Sequence, residues 1–150
     1  MYRAVEASST CRVYPVETST ELELLLANAV AAGFPSPAQD YQDGVIDLNR
    51  ELVVHPRSTF CVVVDGDSML DAQLLDGDVL IVDKSVEAYD GCVAVCILDG
   101  DFTVKFFHQV EGRVVLRPAN AKYRPIVVEP EQDFAVWGVV CYVIHKTHRR

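Results

Sequence analysis

From about residue 45 onward the chain alternates short, β-branched apolar runs with Asp-Gly pairs, a pattern that points to an antiparallel β fold. The pairs are Asp65-Gly66, Asp76-Gly77, Asp90-Gly91 and Asp99-Gly100. Asp-Gly suits tight reversals because both residues tolerate positive φ. Asp99-Gly100, set between two long apolar runs, is the clearest hairpin. Strands are expected at Val45–Leu48, Phe60–Val64, Val79–Val82, Cys92–Leu98, Phe102–Val110, Arg113–Pro118, Ile126–Glu129 and Ala135–His145, with Leu48–Val54 more helix-like. Internal repeats and low-complexity tracts are absent. The expected class is mainly β, as a sandwich or a partly open barrel.

The first 40 residues read differently. A short strand is expected through Cys11-Arg12-Val13-Tyr14, ending at Pro15. Thr20-Glu21-Leu22-Glu23 has the form of a capping box, so a helix is expected from there through the Leu/Ala run to Ala32. Gly33 and Pro35 then read as its stop. Residues 33 to 41 carry Pro and Ser and resemble a hinge. The organisation expected is an N-terminal arm, residues 1–37, followed by a β-rich domain, residues 38–150.

Composition narrows the function. With 150 residues, half of them apolar, the chain can bury a real core. Its net charge of −9 makes direct DNA binding a poor fit, because phosphate neutralisation dominates that affinity. The basic cluster His145-Lys146-Thr147-His148-Arg149-Arg150 reads as a solvated terminus. Five cysteines fit neither a disulfide framework nor a zinc site. Cys92 and Cys96, four apart on a strand, would stand roughly 13 Å apart, too far for a disulfide. Buried thiols in a reducing cytoplasm are expected, with no metal and no cofactor. No run reaches the length of a membrane span, and acidic Glu17, Glu21 and Glu23 precede the Leu24–Ala32 run, against a signal peptide.

Chemistry concentrates on Gly66-Asp67-Ser68-Met69. A serine in a tight turn after a strand is well placed as a nucleophile, provided a base takes its proton. The four histidines show no neighbouring carboxylate pattern, which disfavours a Ser-His-Asp triad. Lysine can serve instead if burial keeps it neutral. Lys105 lies in Phe102-Thr103-Val104-Lys105-Phe106-Phe107, where Phe102, Val104 and Phe106 alternate with Thr103, Lys105 and Phe107. It therefore sits between Thr103 and Phe107, although an edge-strand lysine guarding against aggregation fits the same pattern. Backbone N–H groups of Asp67 and Ser68 are the candidate oxyanion donors, and the Asp67 side chain is expected to cap the turn. Nothing local marks Ala32-Gly33 as a cleavage site.

These residues resemble the UmuD branch of the LexA-like self-cleaving proteins, which share a Ser–Lys dyad with type I signal peptidases. The resemblance spans about residues 32 to 145. It includes Gly33-Phe34-Pro35-Ser36-Pro37-Ala38, Ile46-Asp47-Leu48-Asn49, Gly66-Asp67-Ser68-Met69, and Asp76-Gly77-Asp78-Val79-Leu80-Ile81-Val82-Asp83. It continues through Phe102-Thr103-Val104-Lys105, the segment from Pro118 to Ile126, and Trp137-Gly138-Val139-Val140. It implies a LexA- and signal-peptidase-like β domain in which Ser68 is the nucleophile and Lys105 the general base. Ala32-Gly33 matches the scissile dipeptide. The residue before the cut is Ala32, as in the repressor branch, where the UmuD branch has Cys. Residues 1 to 31 show little resemblance. Only 32 residues precede the cut, too few for the helix-turn-helix module and linker of the repressors.

The resemblance further implies a homodimer in the bacterial cytoplasm, cleaved when a RecA filament on single-stranded DNA activates it. The trimmed dimer would join a UmuC-like Y-family polymerase as accessory subunit of error-prone translesion synthesis in the SOS response. Two other readings stay open: a non-catalytic β-fold binding module with a swapped arm, and a stand-alone self-cleaving regulator acting through a protein partner.

Overall fold

The computed structural model describes residues 12–15, 23–25 and 45–148, with side chains from residue 46 onward. Two compact units divide the chain: Met1–Val16 with His55–Arg150, and Glu17–Val54.

In the larger unit, eight strands form one antiparallel sheet in the order β1-β4-β5-β10-β6-β7-β8-β9. They are β1 (Arg12–Pro15), β4 (Thr59–Val63), β5 (Val79–Asp83), β6 (Val93–Leu98), β7 (Asp101–Val110), β8 (Arg113–Arg117), β9 (Ile126–Val127) and β10 (Phe134–Ile144). The mainly β expectation holds, and strand ends move by only a residue or two. Asp99 and Gly100 join β6 to β7 with φ of 52° and 87°. These are the two positive values of a tight hairpin whose twist matches its strands. Glu111-Gly112 repeats the device between β7 and β8, with φ of 51° and 78°.

Side chains alternate across the sheet, so each face has its own core. One cluster gathers Val62, Val64, Met69, Leu74, Leu80, Val82 and Val95, with Phe102, Val104 and Phe106 packed against it. The other gathers Cys92, Ala94, Cys96, Phe107, Leu116 and Val139. Consecutive residues Ala94, Val95 and Cys96 of β6 thus face opposite clusters, a direct display of period 2. Fully burying a side chain such as Leu80 contributes about 2–3 kcal/mol.

Strand β10 lies between β5 and β6 and shifts register against both, at Val140/Tyr142 and at Val136/Gly138. Gly138 is required there, because a Cβ would stand 2.6 Å from Val82 Cγ1 and 3.2 Å from Asp83 O.

In the smaller unit β2 (Glu23–Leu25) pairs antiparallel with β3 (Val45–Asp47), with Leu24 opposite Ile46. This corrects the expected helix at its start: Glu23–Leu25 is extended. Strand pairing with β-branched Val45 and Ile46 outweighs the weak helical preference of Glu and Leu. The rest of that expected helix, to Ala32, lies outside the described residues. Helix α1 (Leu48–Leu52) follows β3 directly and is capped by Asp47, whose Oδ1 accepts from Asn49 N at 2.9 Å.

Candidate active site

The turn after β4 is built so that its neighbours are fixed and Ser68 is not buried. Gly66, at φ 100°, bends the chain away from the strand. Its N–H donates to Asp76 Oδ1 at 2.8 Å. Three residues later Met69, 2 % exposed, anchors the loop in the first core cluster. A single 3₁₀ turn, Leu70–Ala72, follows and closes at Gln73 in the left-handed region. Ser68 is therefore held beside a buried anchor while its hydroxyl faces a cleft of about 410 Å³, floored by Met69, Leu74, Phe102 and Val104.

Strand β7 brings the lysine to it. Lys105 is 8 % exposed, although it is a lysine on a strand of alternating faces. Its Nζ lies 2.9 Å from Ser68 Oγ, 2.7 Å from Thr103 Oγ1 and 3.0 Å from Val104 O. All three partners are uncharged, so nothing in contact with the amine favours the ammonium as a carboxylate would. Burial pushes the Lys105 pKa below its usual value, against a smaller opposing influence of Cys96. The expected placement between Thr103 and Phe107, off the solvent face, is what the chain adopts.

A neutral amine matches these contacts. It has two N–H donors and one lone pair, while the Val104 carbonyl can only accept. Donation to Val104 O and Thr103 Oγ1 leaves the lone pair for the Ser68 O–H. The same geometry also serves a charged lysine with three donors, so it is burial that favours the neutral form over what an exposed lysine would show.

Residues 119 to 123 lie along the serine loop. Ala119 N donates to Ser68 O at 2.8 Å and Asp71 N to Ala119 O at 2.7 Å. Asn120 Nδ2 donates to Asp67 O at 2.8 Å. The Tyr123 hydroxyl donates to Asp67 Oδ1 at 2.5 Å and Lys122 Nζ reaches Oδ2 at 3.5 Å. The Tyr123 bond, seconded by Lys122, holds the Asp67 carboxyl below its usual pKa and raises that of the phenol. Where a turn cap was expected, the Asp67 carboxylate reaches mainly across to this segment. Thr103, Asn120 and Tyr123 were not singled out as functional in the sequence. Thr103 had a usable signal, two residues before Lys105 on the same strand face. Asn120 and Tyr123 had none beyond their place in the resemblance.

The histidines require a correction. Three of them do have carboxylate partners: His55 Nδ1 with Asp83 at 2.6 Å, His108 Nδ1 with Asp90 at 3.2 Å, and His145 Nδ1 with Asp78 at 2.6 Å. These partners lie 28, 18 and 67 residues away in sequence, beyond any local pattern. The tail is accordingly tied down at His145. None of the three makes a triad with Ser68, whose cleft no histidine lines. Ser85 Oγ approaches His55 at 3.1 Å, but on the same Nδ1 that faces Asp83. A proton relay needs opposite ring nitrogens.

Cys61, Cys92, Cys96 and Cys141 are free thiols. Burial pushes the Cys96 thiol up to about 12, which makes it inert. Among the described residues no helix is long and apolar enough to cross a membrane. The expected scissile residues Ala32 and Gly33 lie outside the described residues.

The chain is similar to known proteins. The family model described as Peptidase S24-like matches residues 24–141. Protein SamA of Salmonella typhimurium is 38% identical over 133 residues, covering 89% of this chain and 90% of that protein. Protein MucA of Escherichia coli is 38% identical over 114 residues, 75% of this chain and 77% of its own length. The LexA repressor of Stenotrophomonas maltophilia is 36% identical over 120 residues, 80% of this chain but 56% of the repressor. The resemblance read from the motifs is borne out at the level of the family and its relatives.

Proposed function

The chain belongs to the Peptidase S24-like family, and we propose that it is a serine peptidase that cuts its own Ala32–Gly33 bond with Ser68 as nucleophile and Lys105 as general base. The observation that carries this reading is the 2.9 Å approach of a buried, carboxylate-free amine to the Ser68 hydroxyl. Neutral Lys105 takes the Ser68 proton as Oγ attacks the carbonyl carbon of Ala32. Backbone N–H groups at Asp67 and Ser68 would meet the oxyanion. The Lys105 ammonium then gives its proton to the Gly33 nitrogen, the C–N bond breaks, and an ester to Ser68 remains. Water, deprotonated by Lys105, hydrolyses the ester and restores the serine.

Because the substrate bond belongs to the same chain, in the arm of residues 1–37, its local concentration is high once it docks. Docking, and not bond chemistry alone, then limits the rate, and an activator that prefers the docked state speeds cleavage by population shift. On the resemblance to the UmuD branch, that activator would be a RecA filament on single-stranded DNA. The trimmed homodimer would then serve a UmuC-like Y-family polymerase as accessory subunit in translesion synthesis, in the bacterial cytoplasm. The net charge of −9 supports a route to DNA through such partners and not through direct binding.

Incubation of the purified chain at alkaline pH, with no partner, tests the reading. Mass spectrometry should find a product beginning at Gly33, and Ser68→Ala and Lys105→Ala should stay whole. A product from either variant overturns the dyad. A wild-type chain that stays whole favours the non-catalytic binding module.

A further inference from the structure

We infer that Asn120 is a positioning residue for this cleavage: its side-chain amide fixes the Asp67–Ser68 peptide plane and so keeps the Ser68 N–H aimed at the developing oxyanion. The inference rests on the Ser–Lys reading above and adds to it a residue outside the dyad.

The C=O and N–H of a trans peptide point in opposite directions. No described peptide bond is cis. Whatever holds the Asp67 carbonyl therefore holds the Ser68 N–H. Two donors reach that carbonyl: Asn120 Nδ2 at 2.8 Å and, at a longer 3.2 Å, Leu70 N within the loop itself. Asn120 supplies the shorter bond, and it comes from outside the loop.

The amide that does this is itself clamped. Its Oδ1 accepts from Lys122 N at 3.0 Å, so both ends of the side chain are occupied and its rotation is restrained. The segment is also laced to the loop on the other side of the serine, through Ala119 N to Ser68 O. Gly66, without a side chain, is held at the entry to the loop through its backbone, by the N–H bond to Asp76 Oδ1.

The Ser68 N–H, by contrast, has no acceptor among the described residues. A backbone donor with no acceptor among the described residues, at the mouth of a cleft and in a loop whose Asp67, Ser68 and Met69 carbonyls are all paired, is a donor awaiting a ligand oxygen. Its value depends on being pointed correctly before the reaction begins, and that is what the Asn120 bond supplies.

The test compares cleavage rates of the full chain and two variants from neutral to alkaline pH. Asn120→Ala removes both of its bonds. Asn120→Asp keeps the shape and the acceptor for Lys122 N but replaces the donor with a second acceptor. Loss of a whole oxyanion donor costs about 100–1000-fold. Loss of its alignment, with the Leu70 bond remaining, should lower the plateau rate of both variants about 10- to 100-fold. The midpoint of the pH profile in Asn120→Ala should stay at the wild-type value, since no contact of Lys105 changes.

A structural cap would behave differently, because Asn120→Asp, retaining the Lys122 bond, would then cleave normally. Wild-type plateau rates in Asn120→Asp, or a midpoint that moves in Asn120→Ala, overturn the inference. Should Asn120→Ala fail to fold, the isosteric Asn120→Asp decides alone. A wild-type chain that stays whole, or a Ser68→Ala chain that is cut, overturns the Ser–Lys reading itself and this inference with it. A cleaving wild type with unaffected Asn120 variants overturns only the role of Asn120.

Discussion

Lys105 Nζ stands 2.9 Å from Ser68 Oγ, across 37 residues of sequence, with Thr103 Oγ1 at 2.7 Å on its other side. The serine comes from a loop anchored by Met69, the lysine and threonine from successive same-face positions of β7. Neither side chain could be placed by its own segment. The sheet order, which sets β4 and β7 on either side of β5, β10 and β6, determines the meeting.

Thr103→Val removes the shortest of the three contacts while nearly preserving shape. A net hydrogen bond of about 1 kcal/mol is lost and Nζ gains freedom to swing from the serine. The cleavage rate at a fixed alkaline pH should fall about tenfold, with a stability change of about 1 kcal/mol in denaturant unfolding.

Lys105→Met should stabilise the fold at neutral pH, and the gain should shrink as pH rises. Burial depresses the folded pKa of Lys105 below the usual 10.5. Between those values the unfolded chain binds the extra proton, so wild-type stability climbs with pH, while the methionine variant lacks this dependence. Denaturant unfolding at several pH values reads the difference. A pH-independent gap would mean that burial does not lower the lysine's pKa in the folded state.

Asp83 should make the fold acid-sensitive. Burial opposes its ionisation, but hydrogen bonds from Ser85, His55 and Ser58 outweigh burial and hold the carboxyl well below 3.8. A depressed carboxylate stabilises above its unfolded pKa, and that stability is lost as pH falls through the folded one. Asp83→Asn should cost about 2 kcal/mol at neutral pH. The deficit against wild type should shrink in acid, as read by unfolding at each pH.

Gly138→Ala should destabilise by about 1–3 kcal/mol, because the new methyl meets Val82 Cγ1 and the Asp83 carbonyl within a bulged, doubly paired strand. A shifted denaturant midpoint with an unchanged slope would report that strain.

Much of the β domain was legible because its information is local. Asp99-Gly100, set between two long apolar runs, declared a hairpin, and the apolar run Cys92–Leu98 declared a strand. Lys105 was legible in part: the flanking Thr103 and Phe107 predicted burial, but an edge lysine looks the same until the neighbouring strands are placed. Glu23–Leu25 misled because helix propensity is weak and its partner, β3, begins 20 residues on. The histidine carboxylates and the Asn120 bond escaped entirely. Each depends on one side chain meeting a backbone or carboxylate oxygen from a distant segment, and no periodicity records such a meeting.

The pH dependence of self-cleavage in the intact chain tests the central claim most directly. With Lys105 as the base, the rate should rise with pH to a plateau, its midpoint below the 10.5 of an ordinary lysine. Lys105→Ala should show no such rise. A rate indifferent to pH, a midpoint at or above the ordinary lysine value, or cleavage persisting in Lys105→Ala would contradict it.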